Sequence, residues 1–134
     1  GYTNCPDICP ASLQTVSWAL EKLGEDARKV AAIFITVDPA RDTPTRLAVY
    51  RKSFDPRLIL LTGSEADIAK VKKDYRVVGV AQGAERGPDG KPKENYVVNH
   101  TTLIYLFGPD GAYLTHFPHN AKPEEIVAEI RKRL

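Results

Sequence analysis

The sequence predicts an α/β fold, helices packed on a sheet, from three observations. Helical and strand patterns alternate along the chain. The run Val30-Ala31-Ala32-Ile33-Phe34-Ile35-Thr36-Val37 is rich in β-branched residues, as expected of a parallel strand buried on both faces. The chain closes on an amphipathic stretch, Pro123 to Leu134, with Ile126, Val127, Ile130 and Leu134 on one side. Its 134 residues fit one compact domain spanning 1–134, with no internal repeat and no linker.

The first helix is read from Leu13, Val16, Leu20 and Leu23, which fall at helical spacing from Pro10 onward and stop at Gly24. A short charged link, Glu25 to Lys29, leads into the first strand. That strand ends in Asp38-Pro39-Ala40-Arg41-Asp42-Thr43-Pro44, a loop dense in turn residues. Thr43 as N-cap and Pro44 at the first helical position open a second helix to about Phe54. Leu58 to Thr62 reads as a short buried strand, and Ser64 with Asp67 as a weak capping box on a third helix. Val77 to Ala81 reads as a further short strand, and Gln82 to Glu94 as an exposed loop rich in glycine, proline and charge. Thr101 to Phe107 and Ala112 to Phe117 form a hairpin turning at Gly108-Pro109-Asp110-Gly111.

Composition excludes several classes of function. Nineteen basic and seventeen acidic residues are interspersed, leaving +2, without the basic patch of a nucleic-acid binder. No apolar run approaches the roughly 20 residues of a spanning helix. Methionine is absent, which removes thioethers from any ligand set.

The chemistry concentrates in Gly1-Tyr2-Thr3-Asn4-Cys5-Pro6-Asp7-Ile8-Cys9-Pro10, which holds the only two cysteines. A C-x-x-x-C spacing on a helix stacks both sulfurs on one face, about 6 Å apart along the axis. Pro6 suits a first helical turn, whose free amides favour thiolates. A buried cysteine is commonly a small hydrophobe, but that accounts poorly for two of them beside prolines at a helix start. Such a pair can close a disulfide or grip a soft metal. A four-thiolate zinc site is excluded by the cysteine count, so any third protein ligand must be a histidine. His116 and His119 lie in Thr115-His116-Phe117-Pro118-His119-Asn120 and read as surface residues. His100, in Val98-Asn99-His100-Thr101, stands where a strand end can meet a helix N-terminus, and spacing alone favours a satisfied structural histidine slightly over a ligand.

The C-P-D-I-C-P segment, Val37-Asp38-Pro39-Ala40-Arg41-Asp42-Thr43-Pro44 and Val98-Asn99-His100-Thr101 together resemble the SCO/SenC family. Leu61-Thr62-Gly63, Tyr75-Arg76-Val77 and Leu106-Phe107-Gly108-Pro109-Asp110-Gly111 follow the same resemblance, in order, over almost the whole chain. The resemblance implies a thioredoxin-like fold, here without the strand that leads into the C-x-x-x-C helix, so that the sequence reads as a fragment of a longer, membrane-anchored protein. It implies a copper chaperone, holding Cu(I) or Cu(II) through Cys5, Cys9 and His100. The implied partners are cytochrome c oxidase subunit II, at its dinuclear copper site, and a thiol reductant. The implied location is the periplasmic face of a bacterial inner membrane, or alternatively the mitochondrial intermembrane space. The loop Asp38 to Pro44 would support the site or face a partner rather than ligate. Asn4 and Asn99 depart from the family pattern, and Asn99 removes a negative charge beside His100. The competing reading is a metal-independent thiol–disulfide oxidoreductase using Cys5 and Cys9 as a redox pair, against which stands a spacer of three residues rather than two. The two activities are compatible in one protein, because reducing a target's cysteines prepares them for copper.

Overall fold

The computed structural model describes residues 1–4, 8–77, 79–82, 97–100 and 103–134, with Ile8 and the segments 79–82 and 97–100 described by their backbone. In chain order the elements are α1 (Ile8–Leu23), a 3-10 helix (Gly24–Lys29), β1 (Ile33–Ile35), α2 (Pro44–Arg51), β2 (Ile59–Leu61), α3 (Glu65–Asp74), β3 (Gly79–Gln82), β4 (Val97–His100), β5 (Leu103–Phe107), β6 (Tyr113–Pro118) and α4 (Pro123–Arg131). The predicted α/β alternation is present. β1 pairs with β2 in parallel, Phe34 opposite Leu60. β3 and β4 are antiparallel, with Gly79 opposite His100. β5 and β6 form the expected hairpin, Ile104 opposite Phe117.

The local signals act as their chemistry requires. Gly24 takes φ +56° at the end of α1, a left-handed position that costs glycine least. The Thr43 side chain accepts from the Arg46 N–H with Pro44 in the first turn of α2, and Ser64 and Asp67 complete a reciprocal capping box on α3. The charged link after α1 winds into the 3-10 helix, whose last carbonyls draw Val30 N–H back to Ala27 O at 3.2 Å. That bond delays the strand, so β1 is shorter than the 30–37 run suggests.

Burial of β1 on both faces is not what the structure shows. Phe34 is 7% exposed but Ile33 is 54% exposed, and Ile59 and Leu61 are exposed beside it. The reason is where the helices lie. Leu13 of α1 and Leu47 of α2 both pack on the Phe34–Leu60 face, with Leu58. The other face looks across an apolar cleft of about 660 Å³ toward Ile68 and Val71 of α3. Gln82, expected in the long loop, instead ends β3, and the strand Val97–His100 was not anticipated. The remainder of that loop, 83–94, lies outside the described residues, as do Thr101 and Thr102 of the expected hairpin strand.

α1 ties two cores together. Its N-terminal half supplies Leu13 to the cluster with Phe34, Leu47 and Leu58. Its C-terminal half supplies Ala19, Leu20 and Leu23 to a second cluster with Phe117 of β6 and Ile126, Val127 and Ile130 of α4. Between them Ser17 is buried but satisfied: its hydroxyl donates to Leu13 O at 2.8 Å and accepts from Asp55 N–H at 3.1 Å. Leu58, 1% exposed, is the most enclosed leucine of the first cluster. Its replacement leaves a cavity between α1, β1 and α2 that rigid neighbours cannot close. Leu58→Ala should therefore lower unfolding free energy by about 2–5 kcal/mol, read from denaturant unfolding with an unchanged m-value.

Candidate functional site

The site is built on the first four residues and on the loop that follows β1. Gly1 enters as a strand residue. Val37 N–H donates to Gly1 O at 2.8 Å, and the Gly1 nitrogen lies 3.5 Å from Ile35 O. Bonds from one residue to the two neighbours of Thr36 are the pattern of a parallel ladder. Residue 1 thus extends the sheet on the edge of β1 opposite β2, whose Leu61 O accepts from Thr36 N–H at 3.1 Å.

Each of the next three residues is held by the loop after β1 or by the first turn of α2 that follows it. The Arg41 guanidinium stands over the Tyr2 ring, 5.7 Å from its centroid, a cation–π contact, and Tyr2 is 2% exposed. Asp42 takes Thr3 at both ends: Oδ2 accepts the Thr3 N–H at 3.1 Å and Oδ1 accepts the Thr3 hydroxyl at 2.5 Å. Arg46 donates to the side-chain oxygen of Asn4.

Behind these contacts is a buried polar network. Asp42 and Thr36 are both fully buried, and Asp38 is 4% exposed. Thr36 Oγ1 donates to Asp42 Oδ2 at 2.5 Å and accepts from Asp38 N–H at 2.9 Å. Arg41 Nε donates to Asp38 Oδ2 at 2.5 Å, with both side chains buried. Arg46 Nε stands 4.0 Å from Asp42 Oδ1. A carboxylate removed from water is costly unless donors replace its hydration. Here three hydrogen bonds from three directions do so, and they fix the carboxylate in one orientation. The expected supporting role of the Asp38 to Pro44 loop thus has a concrete form.

The sequence-predicted ligands are placed as follows. Cys9 lies in the first turn of α1 and is 4% exposed. A Cβ built on Gly1 would stand 2.8 Å from Cys9 Sγ and 2.8 Å from Phe34 Cε2, so the sulfur is seated against the Gly1 backbone. Cys9 also lines one end of the cleft between β1 and α3. Cys5 lies outside the described residues, one position past Asn4 in the chain. The backbone of His100 ends β4 opposite Gly79. Of the other histidines, His116 is exposed and stacks on Tyr113 with rings 29° apart, while His119 is half-buried in the turn before α4.

The residues that sequence reasoning did not single out are Thr3 and Thr36. Thr36 carried a signal, a hydroxyl near the end of an otherwise apolar strand run, which implies a waiting partner. Thr3 carried none, because nothing in its spacing points to Asp42 thirty-nine positions later. The seating of Cys9 on Gly1 generates a test. Gly1→Val should displace the Cys9 sulfur and speed its alkylation severalfold in a Cys5→Ser background. An unchanged rate would mean that the sulfur does not rest on residue 1.

Comparison with known proteins fits this geometry. The SCO1/SenC family profile matches residues 1–134. An SCO2-like protein of Rickettsia conorii is 38% identical over 131 residues, covering 98% of this chain and 62% of that protein. The human mitochondrial SCO1 homolog is 36% identical over 132 residues, covering 97% of this chain and 42% of that protein. The chain therefore spans roughly two-fifths to three-fifths of these curated relatives. The solved structure of Bradyrhizobium japonicum ScoI with copper bound superposes with a TM-score of 0.88 at 44% identity, covering 100% of this chain and 81% of that one. The thioredoxin-like fold implied by the resemblance is accordingly the fold observed. With the C-P-D-I-C-P motif, the D-P-A-R-D-T-P loop and the late histidine all within the matched span, the chain belongs to the SCO1/SenC family.

Proposed function

We propose that residues 1–134 form a single copper-binding domain in which the Cys5 and Cys9 thiolates and the His100 imidazole hold one copper ion as cargo. The observation that carries this reading is the likeness, over the whole chain, to a ScoI structure with copper bound. The donor set agrees with it. Two thiolates and one imidazole are soft and borderline ligands that suit Cu(I), and Cu(II) with an added ligand, better than a hard cation. Placement of Cys9 in the first turn of α1 also agrees, since it seats a sulfur at the start of that helix.

The acceptor in this reading is the dinuclear copper site of cytochrome c oxidase subunit II, as the family resemblance implies. Transfer proceeds by ligand exchange, each protein sulfur or nitrogen being replaced by one from the acceptor. Oxidation opposes loading: two thiolates lose two electrons and form one S–S bond, which removes two ligands at once. A reductant of the thiol class restores them. The same dithiol can reduce an acceptor disulfide, two protons and two electrons passing as the Cys5–Cys9 bond forms. For that exchange the buried Cys9 suits the resolving position. The domain works on the outer face of a bacterial inner membrane or in the mitochondrial intermembrane space, tethered by an anchor in the full protein.

Titration of the fully reduced protein with copper, followed by absorption and electron paramagnetic resonance, tests the assignment. One tight equivalent per chain with thiolate-to-Cu(II) charge transfer is expected. Cys5→Ser and Cys9→Ser should abolish that band, and His100→Ala should weaken binding by at least tenfold. Absence of binding, with a disulfide that exchanges readily with small thiols, would assign the metal-independent oxidoreductase instead. Wild-type stoichiometry and spectrum in His100→Ala would remove that residue from the site.

A further inference from the structure

We propose that the outer face of α2, with the hollow between it and the N-terminal segment, is the surface on which an acidic protein partner docks. The proposal deepens the copper-transfer reading and rests on it for one point only, that the partner is the acceptor of the metal.

The charge on α2 is one-sided. Helices α1, α3 and α4 each carry acidic residues of their own, whereas Pro44–Arg51 carries none. With its C-cap residue α2 presents three exposed cations, Arg46, Arg51 and Lys52. Elsewhere the surface neutralises such groups: Arg131 faces Asp26, Lys132 faces Glu129 and Lys22 faces Glu124. The acids nearest to α2 in the chain do not do this. Asp42 is fully buried and reaches Arg46 only from inside, at 4.0 Å, and Asp55 is taken by Arg57 at 2.7 Å. Among the described residues neither Arg51 nor Lys52 has an ion-pair partner. Cations without a surface counter-charge leave a positive potential outside the helix, which draws in an acidic surface and turns away a basic one.

The middle of this face is apolar. Val49 is 61% exposed, and Arg46 and Lys52 lie three residues to either side of it, neighbours on one helix surface. Leu47 turns the other way, into the core with Phe34 and Leu58. Beside Val49 is a hollow of about 420 Å³, lined also by Thr3, Thr43, Thr45, Arg46 and Tyr50. An apolar spot inside a polar, arginine-bearing rim is the anatomy of a protein interface, and a hollow accepts a protruding side chain. A lipid surface fits less well. It calls for apolar side chains that reach into the headgroups, where α2 offers a concavity and one short valine. The position also suits the proposed task. Thr3 forms one wall of the hollow and Arg46 donates to Asn4, the residue from which the C-x-x-x-C motif follows. A partner seated on α2 therefore meets the peptide that leads into that motif.

The probe is the soluble, metal-free copper-site domain of cytochrome c oxidase subunit II, and its association with the reduced protein is measured as rate constants at low and at physiological salt. Arg51→Glu combined with Lys52→Glu should lower the association rate constant about tenfold or more and flatten its salt dependence. Val49→Ser, which keeps the charge, should instead speed dissociation severalfold. Lys73→Glu combined with Lys122→Glu makes the same charge change on α3 and before α4, and should leave both constants within about twofold of wild type. All of these variants should bind copper as the wild type does, since none alters a proposed ligand. An equal loss in the Lys73 and Lys122 pair would reduce the effect to net charge and overturn the docking face. So would unchanged association in the Arg51 and Lys52 pair, or no association of the wild type with the probe. Binding to phosphatidylcholine vesicles containing phosphatidylserine, lost in the α2 variants while association with the probe is unchanged, would assign the face to a membrane and overturn the proposal. Copper titration separates the two readings. A wild type that docks through α2 without binding metal keeps the docking face and overturns the chaperone reading, and one that binds metal but does not dock does the reverse.

Discussion

The structure around the thiol pair depends on one constraint, that the carboxylate of Asp42 is fully buried and must be given hydrogen-bond donors. Burial makes the group intolerant of approximate geometry. In water a carboxylate accepts from whatever is near, whereas here its donors are Thr36 from the end of β1 and Thr3 from the N-terminal segment. Satisfying one charge therefore fixes three pieces of chain relative to one another. The neighbouring pair Asp38–Arg41 extends the same logic, since both side chains are buried and the guanidinium reaches over Tyr2. Removing a single partner from such a set exposes the remainder to the full desolvation cost, so the set holds or fails together.

This arrangement explains why the loop after β1 is so rich in charged and turn-forming residues. The loop has to leave the strand, place two carboxylates inward and start α2 within a few residues. Asp42 N–H donates to Asp38 O at 3.0 Å, which curls the chain so that both acids face the same interior. Thr43 then caps α2 and Pro44 begins it. Chemistry and helix initiation use adjacent residues for different purposes, and the spacing D-x-x-x-D-T-P follows from needing both.

How far the sequence could be read differs between the two levels. Helix starts and the stop of α1 were legible because their signals are local: Gly24, Thr43-Pro44 and Ser64–Asp67 each act within one turn, whereas α2 ends at Arg51, short of the expected Phe54. Strand extents were less so, because the β-branched run 30–37 does not record that the preceding 3-10 helix takes Val30 or that both helices pack on the Phe34 face. Strand β4 was missed for a related reason. Its partner β3 is separated from it by the segment 83–96, so nothing within Val97–His100 announces the pairing. At the site, the proposed ligand types came from residue chemistry and family resemblance, while the contact between Asp42 and Thr3 is visible only in the folded chain. Thr3 and Asp42 are thirty-nine positions apart, and no periodicity links them.

The contrast between the two cysteines then takes on a physical meaning. Cys9 belongs to a helix that bridges both hydrophobic clusters, so its position is set by the core. The segment before Cys5, Tyr2 to Asn4, is in contact with the loop after β1 and with Arg46 of α2. The segment Tyr2 to Asn4 is therefore placed by a polar set organised on the buried Asp42, whereas Cys9 is placed by the hydrophobic core.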